Sequence, residues 1–160
     1  MSQRLKHTEL SAALYEKMAA FSMATKEKTS IDQGLLHLID IRVSQLNGCA
    51  FCLDMHVKQA KIHGERELRL HHLSVWWESE LFSAKEKAAL RWAEAVTRLP
   101  EGGIADDLYQ SVRVELSEQE VSDLTFAIAA INSWNRLGVP FNVPHGIADA
   151  YFGLDKAGLN

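Results

Sequence analysis

Apolar residues recur at intervals of three and four along most of this chain. Between positions 8 and 26, Leu10, Leu14, Met18 and Phe21 fall on one helical face. Ile31, Leu35, Leu38, Ile39 and Leu46 repeat that spacing, as do Ala88, Ala89, Trp92, Ala93 and Val96, and then Val121, Leu124, Ile128 and Ile131. Three segments open with Ser followed three residues later by Gln or Glu: Ser30 and Gln33, Ser83 and Glu86, Ser117 and Glu120. In such a pair each side chain satisfies an orphan amide of the other's turn, so helices are predicted to start there. From Leu124 to Ile131 the last segment is apolar nearly all round, which predicts a central helix or one covered again at a subunit interface. Gly48 should end the second long helix, with Cys49 or Ala50 starting the next and Gly64 ending it. Shorter helices are predicted over Glu65–His72 and Asp106–Val114. After Leu137, the sequence Gly138, Pro140, Pro144, Gly146 predicts irregular structure that packs Phe141, Tyr151 and Phe152. No alternating strand pattern with hairpin turns is present. The reading is an all-α bundle of six to eight helices, a single domain over residues 1–160.

Composition changes this picture little. Apolar residues make up 47% of the 160, and the net charge of −4 is spread along the chain. No basic stripe with interleaved aromatics occurs, which argues against nucleic acid as a partner. No apolar run reaches membrane-spanning length, and Met1 to His7 lead into amphipathic sequence rather than a signal-peptide core. A cytoplasmic location is the default expectation. There, two close cysteines point to catalysis or metal binding rather than to a structural staple.

The only two cysteines lie in Asn47-Gly48-Cys49-Ala50-Phe51-Cys52-Leu53-Asp54-Met55-His56. On a helix, Cys49, Cys52 and His56 share one face, so two thiols and an imidazole would occupy one small volume. The start of a helix presents unpaired amides that favour thiolate, and Cys49 is the nearer to that end. His56, four residues beyond Cys52, can take its proton. A thiolate that attacks a peroxide becomes a sulfenic acid, and a second cysteine one turn away condenses with it to a disulfide. Thioredoxins carry C-x-x-C in a strand–helix unit, and no such strand is visible here. A zinc site would need Cys49, Cys52, His56 and one further histidine, yet no second spaced ligand pair follows. Trp76, Trp77, Trp92 and Trp134 read first as packing residues, and second as an apolar wall for an organic substrate. Asn135 and Arg136 read as structural hydrogen-bonding groups, and His63, His71 and His72 as surface residues near helix ends.

The run from His37 to His56, with Ser-Gln-x-Asn-Gly-Cys-x-x-Cys-x-x-x-His at its end, resembles the core of the AhpD-like alkylhydroperoxidases of the carboxymuconolactone decarboxylase superfamily. The strong part of the resemblance covers about residues 35–65, and Ile131 to Arg136 resembles the family's final-helix segment. It implies an all-α homo-oligomer, a trimer or hexamer, that reduces organic hydroperoxides. Electrons would return from an external dithiol such as a lipoyl or thioredoxin-like protein, with no metal or organic cofactor. It implies Cys49 and Cys52 as the redox pair and His56 in the proton relay. It favours Cys52 as the attacking sulfur, whereas the helix-dipole argument favours Cys49. One position departs from the pattern: twelve residues before Cys49, where peroxidase members carry a relay glutamate, this chain has His37. Phe51 likewise stands where some members have a histidine. Both changes read as a less anionic site, in which His37 passes a proton without supplying a negative charge. The expectation is a weakened peroxidase that glutamate at position 37 would strengthen. Other readings are a redox sensor, a zinc-stabilised binding module, or a muconolactone-type decarboxylase, a chemistry that needs no cysteine pair.

Overall fold

A computed structural model describes residues 2–159. The helices are α1 (His7–Leu10), α2 (Ala12–Glu27), α3 (Gln33–Asn47), α4 (Ala50–Ile62), α5 (Glu67–His72), α6 (Ala84–Thr97), α7 (Asp106–Glu115), α8 (Glu118–Phe141) and α9 (Asp149–Phe152). Two 3₁₀ turns, Leu73–Val75 and Leu154–Ala157, complete the order, and the described residues contain no strand. The protein is all-α.

Helix α3 is the centre. Nearly every residue from Leu35 to Ser44 is buried, and α4, α6 and α8 all pack on it. Its apolar positions meet Leu90 and Ala93 of α6 and Leu124, Ile128 and Ile131 of α8 in one continuous core. Of the three expected capping boxes, those at Ser83–Glu86 and Ser117–Glu120 are formed and start α6 and α8. At α3 the cap differs from the expectation. Asp32 accepts the amides of Gly34 and Leu35, and the Ser30 hydroxyl and amide are instead bound to the Asp123 carboxylate on α8.

Two further differences bear on the site. Helix α8 runs on through Gly138, Val139 and Pro140 to Phe141, where irregular chain was expected. A proline in the last turn deprives a preceding carbonyl of its donor. The carbonyls that end the helix are held from outside it: the Arg4 amide and guanidinium donate to those of Phe141 and Pro140, and His7 stacks on Phe141 at 5.0 Å. Asn142, in the left-handed region at φ 52°, then closes the helix. The leading helix breaks at Ser11, and its apolar stripe does not enter the core. Leu10 and Leu14 are each 74% exposed, and none of α2 is fully buried. Phe21 meets Phe126 of α8 edge to face, with Phe126 itself exposed. Among the described residues no helix is long and apolar enough to cross a membrane.

Candidate functional site

The α3–α4 turn places the cysteines. Gly48, at φ 66°, terminates α3 in the left-handed conformation that glycine adopts without a Cβ penalty. The chain leaves it extended at Cys49, which is the N-cap of α4. Its sulfur accepts the Cys52 amide at 3.3 Å, taking the place an oxygen holds in an ordinary cap. Cys49 and Cys52, with Cα atoms 5.3 Å apart, are joined as a disulfide. They are 2% and 1% exposed. A thiolate formed at Cys49 would inherit that amide and the positive end of the α4 dipole.

His56 lies one turn beyond Cys52 on α4 and is buried. Its Nδ1 is 2.8 Å from Gln59 Oε1. A carboxamide oxygen only accepts, so Nδ1 carries the proton and Nε2 keeps the lone pair of a base. Burial pushes the His56 pKa below its ordinary value, with Lys26 adding to that push and Asp40 opposing it. The ring is therefore neutral and able to accept a proton at neutral pH.

The carboxylate missing at position 37 enters three residues later. Asp40, on the same face of α3 as His37, is buried, with Oδ2 3.5 Å from His56 Nδ1 and 3.2 Å from Lys26 Nζ. Sequence reasoning did not place it there. The available signal was an acidic residue inside the otherwise apolar run Leu38-Ile39-Asp40-Ile41. His37 is also buried, but its Nε2 bonds to His63 Nδ1 at 2.7 Å, and the two rings stack with centroids 4.9 Å apart. Burial, the largest cause, takes the His37 pKa down to about 4; Asp40 opposes, while His63, Lys26 and His56 push the same way. His63 is exposed, as expected near a helix end, so the His37–His63 pair leads from the interior to the surface.

A small cavity beside His56 and Asp40 is lined also by Lys26, Leu36, Ile131 and Trp134. A second, bounded by Ile31, Gln33 and His37, shares Lys26 and Leu36 with it. Trp134, packed edge to face on Tyr15, is thus a wall of the site, whereas Trp76 and Trp92 are core residues whose indoles donate to Glu94 and Thr125. Trp77 is half exposed. Helix α8 is fixed over the α3–α4 turn by amides. Asn47 Nδ2 donates to Asn132 and Asn135, and Asn135, 1% exposed, donates to Ser44 Oγ. Arg136 donates back to Asn132. Asp54 faces away from the sulfurs, onto Lys58 and the Gly146 amide. Among the described residues no three His, Cys, Asp or Glu side chains form a set able to hold a metal ion, so the zinc quartet is not assembled.

The carboxymuconolactone decarboxylase family model matches residues 12–95. The uncharacterized protein YdfG of Bacillus subtilis is 42% identical over 139 residues, which span 87% of this chain and 94% of YdfG. A crystal structure of a protein of unknown function from Agrobacterium tumefaciens, a candidate antioxidant defence protein AhpD, superposes with a TM-score of 0.86. It is 36% identical and the match covers 91% of this chain and 99% of that one. The alkylhydroperoxidase AhpD core of a peroxidase-related protein from Ralstonia eutropha shares the fold, with a TM-score of 0.75, 14% identity, and coverage of 85% and 72%.

Proposed function

The chain belongs to the carboxymuconolactone decarboxylase family, as an AhpD-like member, and on that footing we propose that it is a thiol-dependent peroxidase acting on organic hydroperoxides. The observation that supports this most is the Cys49–Cys52 pair at the start of α4 with a buried, neutral His56 one turn away. In the reduced protein, His56 Nε2 takes the Cys52 proton. The thiolate attacks the distal peroxide oxygen, the O–O bond breaks, and Cys52 becomes a sulfenic acid. The departing alkoxide takes the proton back from His56 and leaves as an alcohol. Cys49, stabilised as thiolate at the helix start, then attacks the Cys52 sulfur. Hydroxide leaves and is protonated to water, and the disulfide forms. Two electrons have passed from two thiols to one O–O bond.

Asp40 supplies the negative charge that the His37 position lacks. It holds the imidazolium while His56 carries the proton. The His37–His63 pair runs from the interior to the surface beside this centre, and solvent supplies the proton that the Cys49 thiolate has already lost. Beside His56 and Asp40 the wall is largely apolar, formed by Leu36, Ile131 and Trp134 with Lys26 at its edge. An external dithiol, such as a lipoyl or thioredoxin-like protein, returns the electrons, which suits a reducing compartment such as the cytoplasm. The exposed Leu10, Leu14 and Phe126 are the surface on which a homo-oligomer would form.

The test is turnover of cumene hydroperoxide with dihydrolipoamide as reductant. The parent should turn over, and Cys49→Ser and Cys52→Ser should each fall to background. Equal rates for the parent and both variants would sink the reading. A redox sensor is the second reading, favoured by the burial of both sulfurs. It predicts one oxidation by the hydroperoxide and no sustained turnover with any dithiol.

A further inference from the structure

Gly138 lies inside helix α8, in a helical conformation, where alanine is ordinarily the more favourable residue. Its place is explained by what faces it. A Cβ added there would come within 2.7 Å of Cys49 Sγ and 3.4 Å of Cys52 Sγ. Nonbonded heavy atoms rest at roughly 3.5–4.0 Å, so the first of these approaches is a hard clash.

Neither side can easily retreat. On the α8 side, Asn135 is bonded to Ser44 and Asn47 one turn before Gly138. One turn after it, the Gly138 carbonyl accepts the Val143 amide, and Arg4 holds the carbonyls of Pro140 and Phe141. On the α4 side, the Cys49 sulfur is tied to Cys52 by the disulfide and to the Cys52 amide by the cap. Breaking the disulfide frees only one of these groups: the Cys49 side chain can then turn about its Cα–Cβ bond, away from α8. A methyl group at 138 therefore opposes the disulfide far more than the dithiol.

We infer that Gly138 is a positioning residue of the redox pair: the absence of a side chain there is what lets Cys49 reach Cys52 and close the disulfide. The inference deepens the peroxidase reading, because a cycling pair must be able to close as well as open. Its test, however, uses no hydroperoxide, so the two can fail separately.

The experiment equilibrates the protein and Gly138→Ala with a dithiothreitol redox buffer and counts thiols by alkylation and mass. Gly138→Ala should hold at least about tenfold less disulfide at equilibrium, which corresponds to about 30 mV on this two-electron couple. An unchanged equilibrium, or one moved toward disulfide, overturns the inference. A second comparison covers a variant that folds poorly. Gly138→Ala should lower the melting temperature of the oxidised parent. In a Cys49→Ala background, where the obstructing sulfur is gone, the same change should raise it, as alanine in a helix normally does. Equal destabilisation in both backgrounds would mean that Gly138 meets general packing rather than the Cys49 sulfur.

Discussion

Replacing Asp40 by Asn removes one negative charge and almost no volume. The structure places that charge beside His56. Oδ2 is 3.5 Å from His56 Nδ1, with both side chains nearly inaccessible. Opposite unit charges about 4 Å apart attract by about 4 kcal/mol at an effective permittivity of about 20. Lys26 Nζ, 3.2 Å from the same oxygen on a 40% exposed side chain, offsets part of this. The net loss for a proton resting on His56 is then of order 1–3 kcal/mol, or roughly 5–150-fold in the rate of any step that forms the imidazolium. The assay is stopped-flow oxidation of the reduced protein by cumene hydroperoxide, followed across pH. Asp40→Asn should be slower by that factor, with the acidic limb of its profile moved to lower pH, because Asp40 is the group that raises the His56 pKa. Lys26→Met should move the same limb to higher pH, because Lys26 lowers that pKa. A folded Asp40→Asn protein that reacts within a factor of two or so of the parent, with an unmoved limb, would refute the assignment.

Two further outcomes concern stability. Buried His37 keeps its proton off until about pH 4, whereas in the unfolded chain it titrates near 6.5. Above pH 6.5 neither state binds the proton and His37 contributes nothing; between 6.5 and about 4 only the unfolded chain gains it, so stability falls as pH falls, and the loss is complete below about 4. After discounting for the solvent that reaches the His63 side, the total is about 2 kcal/mol, read as a loss of urea midpoint that His37→Gln should flatten. Asn135→Ala removes one donated and one accepted hydrogen bond, while Ser44 and Asn47 each keep another. At about 1 kcal/mol per bond plus a small void, it should cost about 2–3 kcal/mol in equilibrium urea unfolding, and a loss under 1 kcal/mol would remove the amide cluster from the account of how α8 is held.

What the sequence makes legible here is local. Ser83–Glu86 and Ser117–Glu120 start their helices as written, because both partners of a capping box lie within one turn. Gly48, Cys49 and Ala50 likewise show in advance that α3 must stop and α4 begin with the cysteines at its head. The exceptions depend on residues far apart in the chain. Ser30 looks like a cap until Asp123 claims its hydroxyl. Pro140 looks like a terminator, yet α8 runs on to Phe141, and Arg4, far away in the chain, binds the carbonyls of both residues. Periodicity found the stripe Leu10, Leu14, Met18, Phe21 but carries no information on what a stripe faces, and this one faces outward at Leu10 and Leu14. Asp40 escaped notice for the same reason. Its role exists only because α4 brings His56, and α2 brings Lys26, to one carboxylate. Gly138 reads as a breaker in sequence and as the floor of the disulfide in space.

The central claim is that Cys49 and Cys52 form a peroxide-driven pair. The most direct test adds one equivalent of cumene hydroperoxide to fully reduced protein and counts thiols by mass, with Cys49→Ser and Cys52→Ser alongside. The account predicts rapid loss of both thiols as one intramolecular disulfide in the parent, and a trappable sulfenic acid on Cys52 in Cys49→Ser. Two thiols that survive the hydroperoxide in folded protein would contradict it.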